Sequence, residues 1–182
     1  QWKRGERMEY QSQEAYPPVA VEGPNEEYAQ LMLGNLGGYN SEMTTVGSYF
    51  YHHLVTAATD PTLSELFLKI AQVEMRHMEL FGQLAVRLGA DPRLWECRKG
   101  QYRFWTPGYI SYPQDICSIL RASFAGEQEA VRRYRQQISV VQDQSVRAIL
   151  QRILQDEQLH AALFKERLQD FLRCEEKEPS AH

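Results

Sequence analysis

The chain has 182 residues, a formal net charge of -4, a pI near 5.8, 43% hydrophobic and 24% charged residues, and a mean hydropathy of -0.53. That length supports one domain with a sizeable core, and no apolar run approaches the roughly 18 residues a bilayer span needs, so no membrane partner is expected. The 20 basic residues are mixed among 24 acidic ones, which argues against a nucleic acid partner.

Residues 1–24 read as an extended polar arm, because Tyr16-Pro17-Pro18 and Gly23-Pro24 block helix. An arm of this kind is expected to cross a neighbouring subunit of a homo-oligomer. Helical periodicity starts near Asn25 but meets Gly34, Gly37 and Gly38, which predict a break before a first bundle helix from about Tyr39 to Ala58. Asp60-Pro61 is a good cap and first-turn pair, and Gly89 a plausible terminator, framing the second bundle helix. Residues 90–112 hold Trp95, Tyr102, Phe104 and Trp105 among prolines and glycines, so a long aromatic connection is expected, with a small hairpin turning at Lys99 and Gly100. A third bundle helix is expected from Pro113 to Val141, a turn at Asp143, a fourth helix to about Leu172, and a polar tail over 174–182. The domain spans residues 25–173. Two short links and one long crossover between the second and third bundle helices predict an all-α, ferritin-like four-helix bundle.

The core stripes of these helices are interrupted. Ile70, Glu74, His77, Phe81, Leu84 and Leu88 step by three and four, as do Leu150, Ile153, Glu157, His160, Phe164 and Leu168, so Glu-x-x-His twice replaces two apolar residues. Single glutamates interrupt the stripes Tyr39, Glu42, Val46, Tyr49 and Leu120, Phe124, Glu127, Val131, Tyr134, Ile138. One Glu-x-x-His alone is common on solvated helix faces, but two in core register, each following a core glutamate at a matched distance, point to one site. Burying an uncompensated ion costs several kcal/mol, and two divalent cations would cancel four carboxylates. Glu42, Glu74, His77, Glu127, Glu157 and His160 are therefore the candidate ligands of a dinuclear metal centre.

Tyr49 and Tyr134 each follow a ligand glutamate by seven residues, so their hydroxyls either bond ligating carboxylates or are the wet tips of core aromatics. Asp156 either orients a ligand imidazole from the opposite helical hairpin or faces solvent. His53 is about 16 Å along its helix from Glu42, too far to join the cluster, and His52 and His53 are read as helix-end packing or surface. Aromatics of residues 95–112 could roof the site or pack between subunits. Cys97, Cys117 and Cys174 form no Cys-x-x-Cys pair, so neither a disulfide framework nor a zinc ribbon is expected. With no charged-then-apolar leader pattern in the sequence, a reducing compartment, the cytoplasm, is the expected home.

The pattern Glu42, Glu74-x-x-His77, Glu127, Glu157-x-x-His160 resembles the ferritin-like dimetal carboxylate superfamily, within it the rubrerythrin and manganese-catalase branches. The segment Tyr16-Pro-Pro-Val19 through Gly23-Pro-Asn25 is similar to that of spore-coat manganese-catalase relatives, which implies a spore coat as an alternative location. The resemblance implies two Mn or Fe ions, with Glu42 and Glu157 as terminal ligands and Glu74 and Glu127 as bridges. It departs from rubrerythrins at Ala130, where they carry a further glutamate, and in lacking their two Cys-x-x-Cys pairs. Some manganese catalases place an arginine where this chain has Gly126. The expected activity is catalase-type breakdown of hydrogen peroxide, with Glu157, Tyr49 and Tyr134 as candidate catalytic residues. A di-iron ferroxidase or peroxidase using dioxygen or a separate electron donor, and a metal-stapled coat protein, are the alternatives.

Overall fold

A computed structural model describes residues 9–98 and 100–177. The expectations for residues 1–8, for Lys99 at the hairpin turn and for residues 178–182 of the tail lie outside the described residues. Among the described residues five helices carry the fold: α1 (Glu26–Gly37), α2 (Glu42–Thr56), α3 (Pro61–Arg87), α4 (Ile116–Val140) and α5 (Gln144–Lys177). Two short antiparallel strands, β1 (Trp95–Arg98) and β2 (Gln101–Phe104), and a single 3-10 turn at Pro107–Tyr109 fill the connection between α3 and α4. Helices α2 and α3 pack as one hairpin and α4 and α5 as the other, so the long crossover falls between the second and third bundle helices as the connectivity implied.

Each helix begins where a side chain satisfies its free amides. Asn25 accepts from Tyr28 N at 3.0 Å, Asp60 from Leu63 N at 2.9 Å, Asp115 from Ser118 N at 2.8 Å, and Asp143 from Val146 N at 3.0 Å. The predicted break is real, because α1 ends at Gly37 and α2 starts only after its cap Ser41. A Cβ on Gly37 would lie 2.6 Å from Leu94 Cα, so the glycine lets the crossover pass against the end of α1. Gly89 terminates α3 at φ +99, a left-handed geometry suited to glycine.

Three boundaries differ from the sequence reading. Tyr39 is 48% exposed, since the break rotates it out of the stripe, and it stacks edge-on against Tyr109 instead. Helix α5 runs to Lys177, into the expected tail, as Cys174-Glu-Glu-Lys contains no breaker. The arm lies along its own bundle: Tyr16, Val19 and Val21 pack on the core, and Glu22 N donates to Asp143 Oδ2 at 2.7 Å.

Two apolar clusters fill the interior. One contains Leu33, Phe81, Leu84, Ile149 and Ile153, the other Phe67, Ile70, Leu120, Leu163 and Phe164. The intruding Glu and His residues of α3 and α5 lie between them along each helix, so the polar layer has hydrophobic packing on both sides.

Gly37→Ala should lower stability by about 1–3 kcal/mol, because the added methyl meets backbone that cannot yield. Gly34→Ala, whose Cβ meets nothing within 4 Å, should raise it by up to about 1 kcal/mol. Thermal denaturation of the two variants checks the contrast.

Candidate metal centre

All six ligand candidates are buried, none more than 2% exposed. They form two groups that could each hold an ion, Glu42, Glu74, His77 and Glu157, and Glu74, Glu127, Glu157 and His160. Within each group the ligand atoms lie within 4.8 Å of one another. The groups share Glu74 and Glu157, so the shared pair is not the Glu74 and Glu127 that the resemblance implied. The geometry puts Glu42 and Glu127 at the two ends. The reason is the helical pairing, as Glu74 and Glu157 come from α3 and α5, which meet at the centre of the layer.

The imidazoles present matching atoms. His77 Nδ1 lies 2.8 Å from Glu74 Oε2 and 3.0 Å from Glu157 Oε1, and His160 Nδ1 lies 2.8 Å from Glu74 Oε1. Each Nε2–H donates outward, His77 to Asp156 Oδ2 at 3.1 Å and His160 to the carbonyl of Tyr10 at 2.8 Å. That leaves each Nδ1 facing the layer, where a bound ion would take the place of its proton. Glu74 Oε1, Glu157 Oε1 and His160 Nδ1 make no aligned hydrogen bond despite their close approach. Buried polar atoms that crowd together without bonding one another are aimed at a common point, and oxygen-rich sets with one nitrogen per ion suit Mn or Fe. The residues fit a dinuclear centre.

The tyrosines cross between hairpins. Tyr49 OH donates to Glu127 Oε1, and Tyr134 OH donates to Glu42 Oε1, each reaching the glutamate of the other hairpin. Arg133 Nη2 in turn donates to Tyr134 OH at 3.0 Å. The hydroxyls thus hold both end carboxylates, the first of the two readings of these tyrosines.

Asp156 is buried, not a surface aspartate, and collects donors. Besides His77 it accepts from Ser12 N and Tyr16 OH, both at 2.6 Å, and Arg152 Nη1 pairs with Oδ1 at 2.7 Å. Arg152 also donates to the carbonyls of Glu14 and Ser12, pinning the arm. Sequence reading missed Tyr10, Ser12, Tyr16 and Arg152, since arm residues have no periodicity. The one available signal was Arg152 four residues before Asp156, on the buried face of α5. His52 is also buried, at 2% exposure, and packs near the end of α2, the first of its two readings. His53 pairs with Ser64, away from the layer.

Charges in the layer strain against one another. Burial, then the charges of Glu157 and Glu74, pushes Glu42 well above the carboxylate range. Burial and the same neighbours raise Glu127. Glu74 is raised by burial, yet the flanking His160 and His77 overcome this and hold it low. Burial lowers both imidazoles, but Glu74 reverses the effect and raises them. Burial likewise raises Asp156, while the hydrogen bonds from His77, Tyr16 and Ser12 win and hold it at about 2.

Fold and layer together define a ferritin-like protein of the dimetal carboxylate class. The family model Rubrerythrin matches residues 39–178, and the chain belongs to that family. It is 30% identical over 168 residues to a probable manganese catalase of Clostridium acetobutylicum, covering 82% of this chain and 74% of that protein. Among solved structures, KatB, a manganese catalase from Anabaena PCC7120, superposes with a TM-score of 0.77 at 22% identity, over 90% of this chain and 81% of its own. Mycobacterium tuberculosis bacterioferritin BfrA gives 0.69 at 21%, over 83% and 89%. These two likenesses concern the fold.

In the metal-free protein Glu42, Glu127, His77 and His160 take up protons on folding, so their stabilising contribution is present at low pH and lost as pH rises through their raised values. Metal-free stability should therefore fall as pH rises above the ordinary glutamate and histidine values, whereas metal affinity should rise over the same range as protons stop competing. Melting curves with and without metal across that range should show opposite slopes. Asp156→Asn, which weakens the acceptor behind His77, should lower metal affinity by about 10- to 100-fold in a chelator competition.

Proposed function

We propose that this protein is a dinuclear manganese or iron oxidoreductase that disproportionates hydrogen peroxide to water and dioxygen. The observation that carries the reading is the sharing of Glu74 and Glu157 by two buried four-residue groups, which suits two ions close enough to act on one small molecule. The likeness to a probable manganese catalase supports manganese and peroxide. Bound there, a redox-active pair supplies two-electron exchange: one hydrogen peroxide is reduced to water, a second is oxidised to dioxygen, and no external reductant is consumed.

The chain's own residues handle position and protons. Glu74 and Glu157, common to both groups, would serve both ions, Glu42 and His77 would complete the holding of one, and Glu127 and His160 that of the other. Glu127 and Glu157 belong to one group whose ligand atoms lie within 4.8 Å of one another. Glu157 is the proton carrier of this scheme, accepting a proton from incoming peroxide and returning it to departing water. Tyr49 and Tyr134 are positioning groups, holding Glu127 and Glu42 through their hydroxyls. The cysteines are free, which suits a reducing compartment such as the cytoplasm, and no described helix is long and apolar enough to cross a membrane.

Native protein should carry two Mn or Fe ions per chain and release oxygen from peroxide without added reductant. Glu157→Gln should slow oxygen release by at least about 100-fold. Glu74→Ala should lose both ions. Oxygen release at the native rate in Glu157→Gln would reject its role, iron with Fe(II) oxidation but no oxygen release would point to a ferroxidase, and bound metal without turnover to a structural protein.

A further inference from the structure

The two faces of the metal layer are closed differently. On the histidine side, Tyr10, Ser12 and Tyr16 of the arm seal the layer through His160 and Asp156. On the carboxylate side, between α2 and α4, packing is sparse and small residues leave a cavity of about 180 Å³. Ser41 and Thr45 flank Glu42 on one wall, and Gly126 and Ala130 flank Glu127 on the other. Ala122 and Gly126 are exposed, so they form the mouth, and a Cβ on Gly126 would meet nothing within 4 Å.

Polar groups without partners border this space. Neither ring nitrogen of His52 has a hydrogen-bond partner, although the residue is only 2% exposed, and Arg133 Nε is also buried and unbonded. Three aromatic rings pack on His52, Tyr49 at 6.2 Å, Tyr51 at 5.8 Å and Phe67 at 5.0 Å between centroids. Leaving such groups unsatisfied costs roughly 1–3 kcal/mol each, so their retention beside a cavity calls for a ligand. Tyr49 also lines the cavity and donates to Glu127, which makes it the wall shared by cavity and metal layer.

Resting on the function proposed above, we propose that this cavity is the entry site for a small hydrogen-bonding ligand of peroxide size, with His52 as its docking group and Ala122 and Gly126 as its mouth. Burial lowers His52 to about 4, so at neutral pH the ring offers one N–H donor and one bare nitrogen acceptor. That pairing matches hydrogen peroxide, which both donates and accepts. At roughly 30 Å³ per water, the space admits a few water-sized molecules and excludes bulky ones.

The test uses metal-loaded, oxidised protein and azide, a peroxide-sized probe whose metal binding is read by its charge-transfer absorbance in stopped flow. Gly126→Leu and Ala122→Leu, both at exposed positions, should slow azide association and dissociation by at least about tenfold each while leaving the dissociation constant within about twofold, since an obstructed route changes rates and not end states. His52→Phe should also slow association, and His52→Gln, which keeps a donor and an acceptor, should recover it. Melting temperature and metal content serve as folding controls. Association within twofold of wild type in both leucine variants would overturn the route, and wild-type association in His52→Phe would overturn the docking role. These rates are readable whether or not peroxide is turned over, so a failed route and a failed catalase assignment give different results. Absence of any azide band in metal-loaded wild type would overturn both.

Discussion

Mutual repulsion of buried acids is the constraint on which the architecture rests. Four carboxylates and two imidazoles occupy a layer that water does not reach, with apolar packing above and below. Protons can neutralise part of that charge, and the raised values of Glu42 and Glu127 are the mark of this strain. Hydrogen bonds neutralise none of it. Two cations neutralise it fully and give the unbonded atoms of Glu74, Glu157 and His160 something to face.

Everything around the layer holds those six side chains against that repulsion. The two hairpins contribute half a site each, and the crossed bonds from Tyr49 to Glu127 and from Tyr134 to Glu42 tie each half to the other. The symmetry ends at the histidines. His77 leans on a carboxylate, Asp156, while His160 leans on a neutral carbonyl, that of Tyr10. A carboxylate partner makes an imidazole the stronger donor to a metal, so the two ions would sit in unequal fields, a useful inequality where one small molecule must be polarised between them. The arm is thus part of the centre.

Much of the fold and the centre is legible in the amino-acid sequence, because helical periodicity turns a misplaced residue into a signal. Glu74 and His77 stand out against Ile70 and Phe81, and Glu157 and His160 against Ile153 and Phe164. The four-helix connectivity follows from Asp60-Pro61, the aromatic crossover and Asp143. Other parts are hidden for physical reasons. Which glutamates span the two groups depends on the depth at which α3 and α5 meet, which no single helix encodes. Tyr10 acts through its backbone carbonyl, which every residue has, so its identity gives no hint. Tyr39 follows the stripe in sequence, but the break at Gly37 and Gly38 turns it outward. His52 has the sequence position of a helix-end residue, and its burial depends on Phe67 from the neighbouring helix.

The most direct test of the charge-balance account is anomalous diffraction from crystals of the native protein at the Mn and Fe absorption edges. The account predicts two peaks per chain, about 3.5–4 Å apart, lying between Glu74 and Glu157 with one histidine nitrogen beside each. A layer with no anomalous peak, its acids held by protons or by water alone, would contradict it.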